Sequence, residues 1–144
     1  MIREATKKDL DRLLLLYTQL HDNEMPMDMA GLHTLWDAIL ADKNHHIIVA
    51  EEDGKLVSSC VCVIILNLTH KQRSYALVEN VITDEAYRNR GLASLCLQYA
   101  KKLSIENNCY KMMLMTGSKK ESTLHFYEQA GYNKNDKTAF IQWL

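Results

Sequence analysis

The 144-residue sequence predicts a mixed α/β domain, one sheet with helices on both faces. Three observations predict it. Runs with strand-like and helix-like periodicity alternate in the order strand, two helices, three strands, helix, strand, helix, strand. Asp53-Gly54, set between two apolar runs, is a hairpin turn signal, so the first strands pair antiparallel. The later strand–helix–strand unit needs a crossover, which places its two strands parallel.

Taken in order, Ile2 to Ala5 reads as a short first strand. Thr6 is positioned to cap a helix, with Asp9 three residues on in place of the usual Glu or Gln. Leu10, Leu13, Leu14, Tyr17 and Leu20 follow at helical spacing. Asn23 to Ala30 breaks that pattern. Leu32, Leu35, Trp36, Ile39 and Leu40 then form a second apolar stripe. His46 to Glu51 and Lys55 to Leu66 are the hairpin strands, and Ser74 to Thr83 is the next. Gly91 to about Asn107 is a long helix with Leu92, Leu95, Cys96, Tyr99 and Leu103 on one face. Lys111 to Met115 is a short strand. Ser122 to Gln129 is a short helix with Gly131 as its C-terminal cap. Ala139 to Leu144 is the last expected strand.

Length fits a single domain over 1–144. A chain of this size buries roughly 68–70% of its unfolded surface, enough for a core without staples. A formal net charge of −1 gives no global pull toward nucleic acid or a membrane surface, and neither is expected as a partner. The N-terminal residues show no apolar signal region, and the run Leu56 to Leu66 is too short to span a bilayer, so a cytoplasmic address is expected. Cys60, Cys62, Cys96 and Cys109 read as small apolar residues of a reducing compartment. A Cys-x-Cys pair with no second pair is weak evidence for zinc, and no metal is expected.

The informative stretch runs from Val81 to Ser94. A strand ends, a basic loop follows, and a helix opens at Gly91. Amide N–H groups at a helix start have no intrahelical acceptor and carry partial positive charge, which suits phosphate or pyrophosphate. Gly91 allows close approach, Ala93 adds little bulk, and Arg88 and Arg90 add charge that suits phosphate oxygens. The same residues also describe a solvated turn with a structural glycine. The loop is neither a Walker A sequence nor a dinucleotide fingerprint.

Arg88-Asn89-Arg90-Gly91-Leu92-Ala93 resembles the pyrophosphate loop, Gln/Arg-x-x-Gly-x-Gly/Ala, of the GNAT superfamily of acetyl-CoA-dependent N-acetyltransferases. Phe126-Tyr127-Glu128-Gln129-Ala130-Gly131-Tyr132 resembles that family's Phe-Tyr-Glu-Lys-x-Gly-Phe. The element order also matches, so the resemblance covers nearly the whole chain. It implies a mostly antiparallel sheet of about six to seven strands with a central, splayed parallel pair. It implies acetyl-CoA as co-substrate, with pantetheine paired to the backbone of Val81, Ile82 and Thr83. The amides of Asn89, Arg90, Gly91, Leu92, Ala93 and Ser94 would then hold the pyrophosphate, with Arg88 beside them among the cofactor-binding residues. Tyr127 stands where the family carries its general acid.

Glu79 is the candidate base or substrate ligand. Alternation sets it on the same face as Val81 and Thr83, and a carboxylate in the apolar strand Tyr75 to Ile82 is costly to bury without a role or a partner. A Glu on an exposed face, or one paired to an arginine, reads equally well. The acceptor expected is an amine of a small molecule or peptide. Asp22, Glu24 and Asp28 make the expected acceptor side acidic, as a cationic amine would favour. Many small relatives dimerise, and Ala139 to Leu144 is apolar enough to pair across an interface or to lie in its own core. A non-catalytic acyl-CoA-binding regulatory module on the same fold is the alternative function.

Overall fold

The computed structural model describes residues 1–21 and 23–144. Its single sheet has five strands: β1 (Ile2–Glu4), β2 (His45–Glu52), β3 (Lys55–Ile65), β4 (Tyr75–Thr83) and β5 (Met112–Leu114), hydrogen-bonded in that order. The first four pair antiparallel and β4 pairs parallel with β5, as the sequence predicts. The helices are α1 (Leu10–Tyr17), α2 (Met29–Ala41), the single turn α3 (Thr69–Gln72), α4 (Leu92–Glu106) and α5 (Glu121–Gln129). Residues 70–72 of α3 carry positive φ, so that turn is left-handed. Among the described residues no helix is long and apolar enough to cross a membrane.

β3 is the spine. It pairs on both edges and its residues Leu56–Cys62 are all buried. Side chains alternate across the sheet, so β2 and β3 feed two apolar clusters. Leu10, Leu13, Trp36, Val49, Leu56 and Val61 join α1 and α2 to one face. Ile48, Cys60, Cys62, Val78, Cys96 and Ala100 join α4 to the other, with Phe126 and Tyr127 of α5 packed against them. Two serines interrupt the apolar run of β3 without leaving unpaired hydroxyls. Ser58 donates to the Ile82 carbonyl at 2.9 Å and Ser59 to the Ile48 carbonyl at 2.8 Å, which removes most of the cost of burying them. The β2–β3 turn is the expected hairpin, with Asp53 at φ 49 and Gly54 at φ 77, both in the left-handed region that a type I′ turn requires.

The face of α4 differs from the periodicity reading. Leu97 is buried and Leu95 is 44% exposed, because the contact arc runs through Leu92, Cys96, Ala100 and Leu103 and Leu95 falls just outside it. The strand count is corrected as well. Five strands form, not six or seven, and 139–144 carries no ladder, with Phe140 92% and Trp143 86% exposed. Apolar composition gives β propensity, but a strand exists only where its main chain pairs with a neighbour, and among the described residues 139–144 pairs with none.

The N-terminal corner is closed by charge. Asp9 is fully buried and accepts from the Thr6 N–H at 2.7 Å and the Thr6 hydroxyl at 2.9 Å, the reach-back that the capping pattern anticipates. Arg3 of β1 grips the same carboxylate at 2.6 Å, and Arg12 of α1 also pairs with it. Both guanidiniums extend to Glu51 of β2. Hydrogen bonding from Arg3 holds the Asp9 carboxyl well below the usual carboxylate range, against the opposing effect of burial.

Asp9→Asn therefore leaves two arginines facing a neutral group. The expected loss is about 2–3 kcal/mol, below the 3–5 typical of breaking a fully buried pair because both guanidiniums keep some water. Since the folded carboxyl is the stronger acid, its contribution is complete above the unfolded value near ~3.9 and fades as pH falls further. Urea titrations at pH 7 and pH 3 should show the parent–variant gap narrowing in acid, and a gap that does not depend on pH would contradict this account.

Candidate active site

β4 carries one residue more than its neighbour. Ser59 lies opposite Ile82 and Val61 opposite Glu79, so Cys60 faces two residues, Asn80 and Val81. Asn80 takes φ 50, a left-handed conformation that Asn tolerates better than most side chains. This is a β-bulge, and it exchanges the faces of the strand beyond it. Glu79 shares the side of its cross-strand neighbour Val61, which belongs to the α1/α2 cluster. Val81 packs with Cys60 and Val78 on the α4/α5 side, and Thr83 meets Ser58 there at 2.8 Å between hydroxyl oxygens. Simple alternation sets Glu79, Val81 and Thr83 on one face; the bulge separates Glu79 from the other two.

The parallel pair is short. β4 meets β5 only at Ala76, Val78 and the residue between them, so from Glu79 to Thr83 the β5-side edge of β4 has, among the described residues, no strand beside it. Main-chain groups along that edge include those of Val81, Ile82 and Thr83, the three residues the sequence marks for pantetheine. Just beyond, Asp84 caps a 3-10 turn over Glu85–Tyr87 by accepting from the Ala86 N–H at 3.0 Å. Lys55 pairs with Asp84 at 2.8 Å and holds its carboxyl below the ordinary range. The turn delivers the chain to α4 through Asn89 at φ 60 and Gly91 at φ 77.

Among the described residues, the amides of Asn89, Arg90, Gly91, Leu92, Ala93 and Ser94 find no acceptor within the protein. The first helical bond is donated by Leu95 to the Gly91 carbonyl at 3.1 Å. Six successive N–H donors at a helix start form a cradle for an anion of pyrophosphate size. The two arginines are less free than the sequence implies. Arg90 pairs with Glu52 at 2.9 Å and lies over the Tyr87 ring, while Arg88 donates to the Thr83 carbonyl at 3.3 Å. The backbone is thus the main donor set.

Tyr127 stands on α5, half-buried, in ring contact with Phe126 and edge-on to Tyr132. Burial raises its pKa, with a smaller contribution from Cys60, the residue opposite the bulge. The phenol is therefore neutral at physiological pH and able to donate a proton. Burial likewise pushes the Cys60 thiol far up, and those of Cys62 and Cys96 to about 11, so none of these three is a thiolate nucleophile near pH 7.

Sequence periodicity counted Tyr17 only as an apolar stripe position. Its hydroxyl is buried without a hydrogen-bond partner, beside Ser59 and Asn80, and desolvation pushes its pKa up to about 12. The one signal available in the sequence was Asn80 itself, a polar residue inside an apolar strand. Of the acidic group expected near the acceptor, Asp28 is occupied as the α2 cap, accepting from the Gly31 N–H at 3.1 Å. Glu24 is exposed and Asp22 lies outside the described residues.

Residues 8–132 match the model of the Acetyltransferase (GNAT) family. The chain belongs to this family. Among solved structures, a “Putative acetyltransferase from Agrobacterium tumefaciens str. C58” is 35% identical and superimposes with a TM-score of 0.91 over 99% of both chains. Glucosamine-6-phosphate N-acetyltransferase from Arabidopsis thaliana shares the fold of this GNAT chain at a TM-score of 0.88 and 20% identity, covering 99% of this chain and 97% of that one. A curated relative, glucosamine 6-phosphate N-acetyltransferase of Trypanosoma brucei brucei, is 29% identical over 84 residues, which is 58% of this chain. That alignment spans 55% of the relative, so the chain matches about half its length.

The bulge conformation is directly testable. Asn80→Gly should leave stability within about 0.5 kcal/mol of the parent, whereas Asn80→Val should cost about 1–2 kcal/mol from the left-handed backbone alone. Denaturant midpoints of the two variants check this, and equal midpoints would remove the bulge from the argument.

Proposed function

We propose that this GNAT-family chain transfers the acetyl group of acetyl-CoA to a primary amine of a small molecule or peptide, by direct attack. One observation carries the reading: the unpaired edge of β4 runs straight into six unpaired amides at the start of α4, a continuous strip of main-chain donors and acceptors. An extended amide-bearing arm suits the first part and a pyrophosphate the second. Bound acetyl-CoA supplies an activated thioester carbonyl. A β4 N–H near Val81 would be the donor to the oxygen on which charge develops, an interaction typically worth about 3–4 kcal/mol.

Direct attack is favoured over a covalent enzyme intermediate because the buried thiols nearest the opening are held protonated. Tyr127 is the proton donor toward the departing sulfur, and Glu79 receives the amine proton from the α1/α2 side. Glucosamine 6-phosphate, the amine named for the Trypanosoma and Arabidopsis relatives, is the first acceptor to try. Four free cysteines fit work in the reducing cytoplasm.

Thermal unfolding tests cofactor binding. Acetyl-CoA at a hundred times its dissociation constant should stabilise by about 2.7 kcal/mol, a shift of roughly 5–11 °C for a domain of this length. A bulky replacement of Gly91 should abolish the shift. No shift at millimolar acetyl-CoA would sink the proposal.

Turnover tests the proton donor separately. Tyr127→Phe should lower kcat by about 10²–10⁴ while keeping the acetyl-CoA shift, as expected for a group that acts on the reaction and not on binding. Unchanged kcat with an accepted amine would take Tyr127 out of the chemistry.

A further inference from the structure

The proposed reaction leaves one buried hydroxyl at the bulge unused. Tyr17 ends α1, and its ring packs against the α1/α2 cluster. Its hydroxyl oxygen is buried, lies beside Ser59 and Asn80, and is aligned for a hydrogen bond to neither. An unpaired buried hydroxyl is costly and uncommon, and calls for a functional reason. Ser59 faces the same side, opposite Val49 of that cluster, and gives its own proton to the Ile48 carbonyl at 2.8 Å. Asn80 is exposed where the opening between β4 and β5 begins, one residue after Glu79.

These neighbours fix the direction of a hydrogen-bond chain. A carbonyl can only accept, so Ser59 is committed as donor to Ile48 and has only its oxygen lone pairs to offer. Tyr17 has a single proton. Given to Ser59, it leaves the phenol oxygen free to accept from the Asn80 NH2, and the hydroxyl is satisfied twice. Given to the Asn80 carbonyl oxygen, it satisfies the hydroxyl only once. The first arrangement turns the Asn80 NH2 inward and its Oδ1 out toward the opening. Desolvation pushes the phenol pKa up to about 12, so Tyr17 keeps the proton it gives. We propose that Asn80 Oδ1 accepts an N–H of the incoming amine and aims its lone pair at the thioester carbonyl, with Tyr17 and Ser59 holding the carboxamide in that orientation. Asn80 touches the substrate; Tyr17 acts through it and is a positioning residue. This inference rests on the acetyl-transfer reading and deepens it: Glu79 takes the amine proton that leaves, and Asn80 holds one that stays. A protonated amine has an N–H for each partner, whereas an alcohol has a single O–H. The pair therefore selects amines over alcohols.

NMR of the full chain with isotope-labelled asparagine reads the orientation without any acceptor. The Asn80 carboxamide signals are identified by their loss in Asn80→Gly. One of the two protons should exchange with water about 10-fold more slowly than in Tyr17→Phe, as a single hydrogen bond confers. Equal exchange in the two proteins, with and without saturating acetyl-CoA, would overturn the inference. Turnover reads the consequence, with glucosamine 6-phosphate, spermidine and a lysine peptide as trial amines. Asn80→Gly keeps the left-handed backbone and removes the carboxamide, so kcat/KM for an accepted amine should fall about 10–100-fold with the acetyl-CoA melting shift retained. Tyr17→Phe should lower it about 3–10-fold while its Tm stays level or rises, since an unpaired hydroxyl is removed. The double variant should be no worse than Asn80→Gly alone, because Tyr17 acts only through Asn80. Additive losses would overturn the chain. Parent turnover that Asn80→Gly leaves intact counts against Asn80 alone, whereas a parent that acetylates none of the three amines counts against the acetyl-transfer reading itself.

Discussion

An antiparallel ladder tolerates an extra residue only by expelling it, and in β4 that residue is Asn80. Two consequences spread from it. Beyond the bulge, every side chain of β4 sits on the face opposite to the one strict alternation assigns, so Val81 and Thr83 join α4 and α5 while Glu79 remains toward α1 and α2. The bulged strand also bends, and β5 follows it only as far as Val78. The opening between the two strands begins where the extra residue begins. The cleft is thus a property of register, fixed by a small number of backbone pairings, and the rigid spine β3 holds that register by pairing on both sides.

What the opening offers is mainly backbone. The unpaired edge of β4 and the amides of Asn89 to Ser94 form one strip, and the side chains around it are committed elsewhere. Arg90 serves Glu52, Arg88 is turned back to the strand end, and Lys55 serves Asp84. These pairs shape the loop more than they reach into the strip. Donors fixed by backbone geometry need no reorganisation when a charged ligand arrives, which is what anion binding at a helix start exploits. Gly91 contributes through its conformation: a Cβ there would meet nothing within 4 Å, yet φ 77 disfavours any residue with a side chain.

Local features of this fold were legible in the sequence, and features that depend on a distant partner were not. Asp53-Gly54, the Thr6–Asp9 reach-back and the crossover parallel pair all follow from residues a few positions apart or from connection rules, and the structure has them. The bulge left Tyr75 to Ile82 looking like an ordinary alternating strand, because register belongs to the pairing with β3 and not to β4. The partners of Arg88 and Arg90 were equally hidden, Glu52 being on another strand. Segment 139–144 shows the same limit from the other side: its strand propensity was plain, but propensity does not supply an edge. Tyr17 was assigned to an apolar stripe correctly by its ring and incompletely by its hydroxyl, since a phenol's burial cannot be read from spacing.

The bulge also bears on how protons could move in the proposed reaction. Acetyl transfer to an amine needs a proton removed where the nucleophile enters and a proton supplied where sulfur departs. The acid and the base of such a reaction serve different ends of it, one at the entering amine and one at the departing sulfur. Here the sheet backbone stands between them. Glu79 is on the α1/α2 side, and Tyr127 is on the α4/α5 side, packed against the cluster that holds Cys60, the residue opposite the bulge. Burial keeps the phenol protonated, so it is supplied in the form a donor needs. A free coenzyme thiol ionises near ~8.5, below an ordinary tyrosine, and full transfer from the phenol is therefore uphill. Its contribution would be a hydrogen bond that strengthens as the sulfur gains charge, with the proton passing late. The single inserted residue at Asn80 is what makes this division possible, since in an unbulged strand Glu79 and Val81 would share a face.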